Sequence, residues 1–276
     1  MADYRIGFKW WALIIAVVFV ISELVCVACV PERPVACDEK PGKISDMFKA
    51  LFKNDQAMTV VVSIILVYTS LNICGNLVLY FFRFDVGNEG AYSIFAAVAF
   101  AAQVLVMMVI PLLRKRFSKS QLFISGFIIQ ISGFAVILIM AFAKLYTPQS
   151  WYILCLPGIL IYLGYGMLNV IMTIFLSDSV DYGEVMNGTR EESVIFSMQT
   201  FTVKLASGVA VFLAGLVVDW IHLDTAAAVQ TQDTLDALRM WMTIPSVILL
   251  IVGIFVFKRF YKLDDARMEE IKSKLN

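Results

Sequence analysis

The stretch YSIFAAVAFAAQVLVMMVIPLL, Tyr92 to Leu113, contains 22 residues, and none of them is charged. About 20 apolar residues in a helix cross the hydrocarbon core of a bilayer, so this stretch predicts a membrane-spanning helix. Six comparable stretches accompany it: Phe8 to Val30, Met58 to Phe82, Leu122 to Ala143, Trp151 to Leu176, Val194 to Val218 and Leu238 to Phe257. The sequence therefore predicts an all-α membrane protein with about seven transmembrane helices.

The composition agrees with a membrane protein. Hydrophobic residues make up 60% of the chain, charged residues 16%, and the mean hydropathy is +0.82. Soluble domains are nearer half apolar and a quarter charged. The formal net charge is zero, which gives no reason to expect a nucleic acid partner. The five cysteines lie in or beside apolar runs, where cysteine packs as a small hydrophobe, so we expect no metal site and no cofactor.

The connections divide the chain into four parts. Residues 1–30 form the first helix, and residues 31–57 form a loop that contains an amphipathic stretch, Ile44 to Phe52. Its apolar residues recur at helical spacing, which predicts a helix lying at the membrane surface. Residues 58–258 form a bundle of six helices, and residues 259–276 form a polar tail.

Lysine and arginine are distributed unequally between the two sets of loops. Sixteen lie on the side of the 31–57 loop and of the carboxyl terminus, and five lie on the other side. The positive-inside rule therefore predicts a cytoplasmic carboxyl terminus and an amino terminus outside. A first helix preceded by Arg5 and Lys9 would by itself prefer its amino end inside. The odd helix count and this conflict together predict a chain whose earlier helices are absent.

Lys204 lies within an apolar span, where an ammonium group must face a wet cavity or a partner, or else extend to the membrane surface. Thr200 shares its helical face and Gln199 lies close by. Three further polar residues follow one another at helical spacing on the preceding span: Tyr165, Asn169 and Thr173. Such donors and acceptors in an apolar wall suit a polar ligand, although hydrogen bonding between helices is the alternative.

An acidic stretch follows the fifth span. Asp178, Asp181 and Glu184 lie close together, with Arg190 after them. Carboxylates this close repel one another unless cations neutralise them, and the basic cluster from Arg114 to Lys119 is expected on the same side. An ionic latch at the cytoplasmic face is one interpretation, and a solvated acidic loop is the other.

The segment Asp178-Ser-Val-Asp-Tyr-Gly-Glu184, the arginine six positions later and Gln199-Thr200-x-x-Val203-Lys204 resemble the glycoside-pentoside-hexuronide cation symporters. That family, whose members are melibiose permease-like, belongs to the major facilitator superfamily of twelve-helix transporters. The resemblance implies that this chain corresponds to helices 6 to 12. It also implies a pocket edge at Gln199, Thr200, Val203 and Lys204, and a cytoplasmic gate of Asp178, Asp181, Tyr182, Glu184 and Arg190 with Arg114 and Arg116.

By the same resemblance, the function is sugar symport with sodium or a proton in the cell membrane, by alternating access. The coupling cation would bind mainly in the amino-terminal half of the transporter. That half is absent from this chain, or a separately encoded partner supplies it. Asn169 departs from melibiose permease, which has tryptophan at the corresponding position. The sugar specificity of melibiose permease therefore does not apply to this chain. Alternatives are a non-transporting fragment or split subunit, a seven-helix retinal protein or receptor, and a membrane enzyme. The last lacks a catalytic constellation within its spans, so we expect no enzyme.

Overall fold

A computed structural model describes residues 2–29, 52–188, 190, 192–227 and 229–275. Its contacts divide the chain into two units, Met1–Gly42 and Lys43–Asn276. The described part of the first unit is a single helix, α1 (Ala2–Cys29). The surface helix predicted at Ile44 to Phe52 lies outside the described residues except for Phe52, so it stays a prediction.

The second unit is a helical bundle. Its long helices are α2 (Asp55–Tyr80), α3 (Ala91–Leu113), α4 (Lys119–Phe142), α5 (Cys155–Asn187), α6 (Glu192–Trp220) and α7 (Gln232–Phe260). A π-helical turn, Phe81–Asp85, extends α2, a 3-10 turn, Trp151–Leu154, precedes α5, and a short helix, α8 (Asp265–Leu275), follows α7. Within the described ranges, seven helical segments are long and apolar enough to cross a bilayer, as the sequence predicts.

Local side-chain contacts explain where several of these helices begin. The Asn54 side chain accepts a hydrogen bond from the Ala57 amide at the start of α2. Ser118 and Gln121 form a capping box at the start of α4. Each cap satisfies a backbone group that the first turn of a helix leaves without a partner.

Helix α5 is longer than the sequence predicts. The apolar stretch ends at Leu176, but the helix continues to Asn187 and ends at Gly188, whose φ of 75° is left-handed. A left-handed glycine is a common helix terminator because it carries no Cβ. The stretch from Asp178 to Glu184 is therefore helical, and the carboxylates are held at fixed positions on one helix.

Helices α2 and α5 form the centre of the bundle. α5 packs against α3 and α4, α2 packs against α6 and α7, and the two also contact each other. α4 and α5 approach closely at Gly164, where an added Cβ would lie 2.5 Å from the Gly126 carbonyl oxygen. Small residues allow such close approach between helices in a bilayer.

The bundle has two ends, which we name after buried carboxylates. At the Asp178 end, Asn54 before α2 donates to the Ser179 carbonyl on α5, with 2.8 Å between nitrogen and oxygen. At the Asp85 end, Asn88 after α2 donates to the Pro148 carbonyl before α5. α2, α4 and α6 therefore run from the Asp178 end to the Asp85 end, and the other three long helices run back.

Candidate functional site

A polar surface crosses three helices between the two ends of the bundle. The amide of Asn169 on α5 donates to the hydroxyl of Tyr68 on α2, at 2.5 Å. One turn along α5, the Thr173 hydroxyl donates to the Asn169 carbonyl at 3.1 Å. The amide of Gln199 on α6 donates to that same hydroxyl at 3.4 Å. We call these four residues, Tyr68, Asn169, Thr173 and Gln199, the polar surface.

Tyr165 packs against Tyr68 on the buried side of this surface. Its ring lies edge to face against Tyr68, with 5.5 Å between ring centroids, and Tyr165 is buried. The ring of Tyr162 packs against Tyr165 in the same manner, at 6.5 Å. Aromatic pairs at such distances stabilise a fixed arrangement, so the Tyr68 hydroxyl has a defined position.

Lys204 lies on α6, beyond Gln199 and Thr200. It is exposed and forms no ion pair with the residues that the structure describes. Twelve residues separate it from Glu192, which places it about 18 Å from the start of the helix. The Thr200 hydroxyl donates back to the Phe196 carbonyl at 3.4 Å, and Val203 is half-buried against the core. An unpaired cation therefore lies in the middle part of a predicted span.

A buried ion pair lies at the Asp178 end. The ammonium of Lys119, at the start of α4, pairs with Asp178 on α5, and both side chains are 7% exposed. The same ammonium lies 3.5 Å from a carboxylate oxygen of Asp265, at the start of α8. Arg114 also reaches Asp265, at 3.4 Å. This network connects α4, α5 and α8.

A second ionic cluster at this end surrounds Arg190. Its guanidinium contacts Asp181 at 3.1 Å, Glu184 at 2.8 Å and Glu192 at 3.1 Å. Hydrogen bonds to these carboxylates, that to Glu184 first, raise the pKa of Arg190 above its ordinary value. The three carboxylates face one permanent cation, which reduces their mutual repulsion.

The segment Asp181-Tyr-Gly-Glu184, which we call the DYGE segment, also fits closely against the start of α2. An added Cβ at Gly183 would lie 2.8 Å from the amide nitrogen of Asn54, which is the atom that donates to Ser179. A larger residue at position 183 would displace this contact. Tyr182, next to Gly183, packs instead on an apolar cluster formed by Leu263, which precedes α8, and by Met268 and Ile271 on α8.

Several predicted residues come together and others do not. Tyr165, Asn169, Thr173 and Gln199 form one connected arrangement, and Asp181, Glu184 and Arg190 form another. Arg114 and Arg116, expected in one gate with the acidic residues of α5, form no ion pair with Asp178, Asp181 or Glu184 within the described chain. Arg114 pairs with Asp265, and Arg116 is exposed without an ion pair to any described residue. Lys119, at the edge of the same basic cluster, takes the place expected for them.

No pattern in the sequence indicates the buried network at the Asp85 end. Arg239 on α7 pairs with both oxygens of Asp85, at 2.8 and 2.5 Å, and with Asp236 at 2.7 Å. The Tyr146 hydroxyl donates to Asp85 at 2.7 Å. Burial, with the Asp85 charge second, raises the pKa of the Tyr146 phenol above its ordinary value. This network connects the π-helical turn, the α4–α5 loop and α7.

Comparison with known proteins places these features in a family. The family described as "MFS/sugar transport protein" matches residues 3–265. The uncharacterized symporter YjmB of Bacillus subtilis is 24% identical over 91% of this chain and 54% of its own length. The raffinose carrier protein of Pediococcus pentosaceus is 23% identical over 84% and 35%, respectively. The isoprimeverose transporter of Lactiplantibacillus pentosus is 25% identical over 94% and 52%. The chain spans about half the length of these relatives, or less.

Proposed function

Because the chain belongs to the MFS/sugar transport protein family, as the resemblance in its DYGE segment predicts, we propose that it forms the carboxyl-terminal part of a sugar symporter. The substrate is a glycoside, pentoside or hexuronide, and the coupling ion is sodium or a proton. Transport proceeds by alternating access together with an amino-terminal half. The observation that carries this proposal is the polar surface with Lys204 beyond it on α6.

The chemistry of the polar surface suits a polyhydroxylated ligand. A sugar hydroxyl both donates and accepts hydrogen bonds, and the surface offers amide, hydroxyl and phenol groups of both kinds. Thr173 is exposed, while Tyr68, Asn169 and Gln199 are partly exposed, so a ligand can reach them. Small-molecule sites typically have a small number of polar groups in an otherwise apolar wall.

Two observations support an amino-terminal partner half. The chain spans about half the length of its relatives, and Lys204 has no counter-charge among the residues described. An unpaired ammonium is unfavourable inside a membrane unless a carboxylate or water faces it. A carboxylate of the partner half would neutralise Lys204, and the bound sodium or proton would alter that pairing. Lys204 thereby couples cation binding to sugar binding.

The ionic clusters at the Asp178 end suit a gate on the cytoplasmic side. The excess of lysine and arginine on that side predicts this orientation, with the carboxyl terminus in the cytoplasm of a cell membrane. The expected gate residues lie where α5 leaves the apolar part of its span, or just after the helix: Asp178, Asp181, Tyr182, Glu184 and Arg190. In the proposal, the pairs of Lys119 with Asp178 and of Arg190 with its carboxylates hold this end closed and exchange partners when it opens.

Uptake of radiolabelled galactosides, xylosides and glucuronides tests the function. Transport-deficient cells would express this chain alone, or with a five-helix amino-terminal part from the same genome, with and without sodium and at two external pH values. We expect ion-dependent accumulation only with both halves present. Absence of uptake in every combination, with both proteins inserted, would favour a non-transporting fragment and contradict the proposal.

Lys204→Ala tests the coupling role in the same cells. We expect loss of accumulation against a gradient, with normal insertion, because the charge that links the two sites is gone. Lys258→Ala is the matched control, since Lys258 is also exposed but lies in the last turn of α7. Lys204→Arg retains the charge and should retain part of the accumulation. Normal accumulation by Lys204→Ala would refute the assignment.

A further inference from the structure

A groove lies between α2 and α6, separate from the polar surface and toward the Asp85 end. Its volume is about 530 Å³, and its polar lining residues are Asn76, Tyr80 and Asp219. The apolar part of the lining includes Val211, Phe212 and Val218. Ligand pockets of roughly 300–1,000 Å³ are typical for small molecules, so the space suits a mono- or disaccharide.

The polar groups of the groove have unused hydrogen-bonding capacity. The Asn76 amide donates to the Asn72 carbonyl at 2.7 Å, which leaves its side-chain oxygen and its second N–H without a partner among the described residues. Neither the Tyr80 hydroxyl nor the Asp219 carboxylate pairs with another residue in the described part of the chain. A carboxylate, an amide oxygen and a phenol beside an aromatic ring are groups that bind sugar hydroxyls and the apolar face of a sugar ring.

The groove continues the polar surface along α2. Tyr68, Asn72, Asn76 and Tyr80 recur every four residues, so each lies about one turn from the next and the series winds gradually around the helix. Asn72 donates to the Tyr68 carbonyl at 2.7 Å, one turn before Asn76 donates to Asn72. Tyr68 and Tyr80 are twelve residues apart, which separates them by about 18 Å along the axis. One polar stripe therefore runs from the Asn169 contact to the groove.

We infer that this groove is a second sugar-binding subsite, which a glycoside occupies on its way between the Asp85 end and the polar surface. Asp219 accepts hydrogen bonds from two sugar hydroxyls, while Asn76 and Tyr80 bind a third. The ligand is neutral and polyhydroxylated, and Asp219 disfavours a hexuronide there because two carboxylates repel each other. This inference rests on the proposed function for the substrate class.

Two glycines of α6 provide matched reporters. Gly215 lines the groove. Gly208 lies seven residues before Gly215 on the same face of α6, and one turn after Lys204. Apart from the backbone of the helix itself, no heavy atom of the described residues lies within 4 Å of an added Cβ at either position, so cysteine fits at both. Gly208→Cys reports on the region of Lys204, and Gly215→Cys reports on the groove. The parent chain, with its own cysteines, gives the background.

The experiment measures the rate of maleimide labelling of each variant, as the full chain together with the amino-terminal part from the uptake experiment, in lipid nanodiscs. The probes are p-nitrophenyl galactoside, p-nitrophenyl xyloside and p-nitrophenyl glucuronide, with sorbitol as an osmotic control. At a sugar concentration about twice the dissociation constant, occupancy should slow labelling at position 215 about threefold. Asp219→Asn should raise the dissociation constant of the groove about tenfold, which reduces this slowing to about 1.2-fold, and should leave protection at position 208 unchanged.

The outcomes separate the subsite from the proposed function. Protection at 208 without protection at 215 by any probe would overturn the subsite and leave the proposed function intact. Protection at 215 that survives Asp219→Asn would also overturn it, because the sugar would then block access from elsewhere. Protection at neither position would count against both. Protection at 215 that Asp219→Asn removes supports the subsite.

Discussion

Replacing Arg239 by glutamine is expected to lower the free energy of unfolding of the bundle by about 3–5 kcal/mol. Arg239 and Asp85 are each only 3% exposed, and two bonds of 2.8 and 2.5 Å join them. The substitution leaves the Asp85 carboxylate buried, with Tyr146 as its remaining partner in the described structure. A buried charge that loses its counter-charge accounts for most of this loss.

The matched control is Arg83→Gln. Arg83 pairs with Glu89 at 3.7 Å, and the two side chains are 45% and 59% exposed. An exposed pair of this kind contributes at most about 1 kcal/mol, because solvent screens it. Both substitutions remove one arginine near the same end of the bundle, so the difference between them isolates the effect of burial.

The assay is equilibrium unfolding of the purified chain in mixed micelles with increasing denaturing detergent, followed by circular dichroism. The double variant Asp85→Leu with Arg239→Met removes both charges and should recover most of the loss, since replacing a whole buried pair is often nearly neutral. Equal losses for Arg239→Gln and Arg83→Gln would refute the reasoning. So would a double variant that is as unstable as Arg239→Gln.

Three further predictions concern stability, with the same unfolding assay. Gly164→Ala should lower the free energy of unfolding by about 1–3 kcal/mol, because the new methyl group overlaps the neighbouring helix. Gly208→Ala is the control and should raise the free energy of unfolding by up to about 1 kcal/mol, because the space around position 208 is open. Equal effects of the two substitutions would contradict the close packing at Gly164. Lys119→Met leaves a buried carboxylate without its cation and should cost about 3–5 kcal/mol, whereas exposed Lys115→Met should change stability by no more than about 0.5 kcal/mol. The raised pKa of Tyr146 means that its stabilising effect is complete below its ordinary value of 10.0 and is lost as the pH rises towards the higher folded value. The parent chain should therefore lose more stability than Tyr146→Phe between about pH 9 and pH 11, and parallel profiles would exclude this contribution.

The membrane-spanning architecture could be predicted because the bilayer imposes it. Every backbone group in hydrocarbon must be paired within its own helix, so apolar runs of sufficient length report spans directly. The end of α5 could not be predicted in the same way. Beyond Leu176 the residues become polar, which marks the end of the apolar layer but not the end of the helix. Backbone hydrogen bonding continued to Gly188, where the left-handed conformation stopped it.

The candidate site was predictable along single helices and unpredictable across them. The spacing of Tyr165, Asn169 and Thr173 indicated one polar face of α5. That Tyr68 would meet this face depended on how α2 packs, which no local pattern reports. The Asp85–Arg239 pair joins residues 154 positions apart, and its carboxylate is placed by a π-helical turn. Distant pairings of this kind follow from tertiary packing alone.

Helix α5 is also a lever arm. Its 33 residues extend about 50 Å, well beyond the roughly 30 Å of hydrocarbon, as one continuous rod without an internal break. Asn169 lies near its midpoint, and Asp178 lies nine residues, or about 14 Å, further along. A ligand that tilts α5 against α4 by about 10° would move Asp178 by about 2 Å, which is enough to end its hydrogen bond to Lys119. If the proposed function holds, a small angular change at the bound ligand would thereby break an ion pair at the Asp178 end.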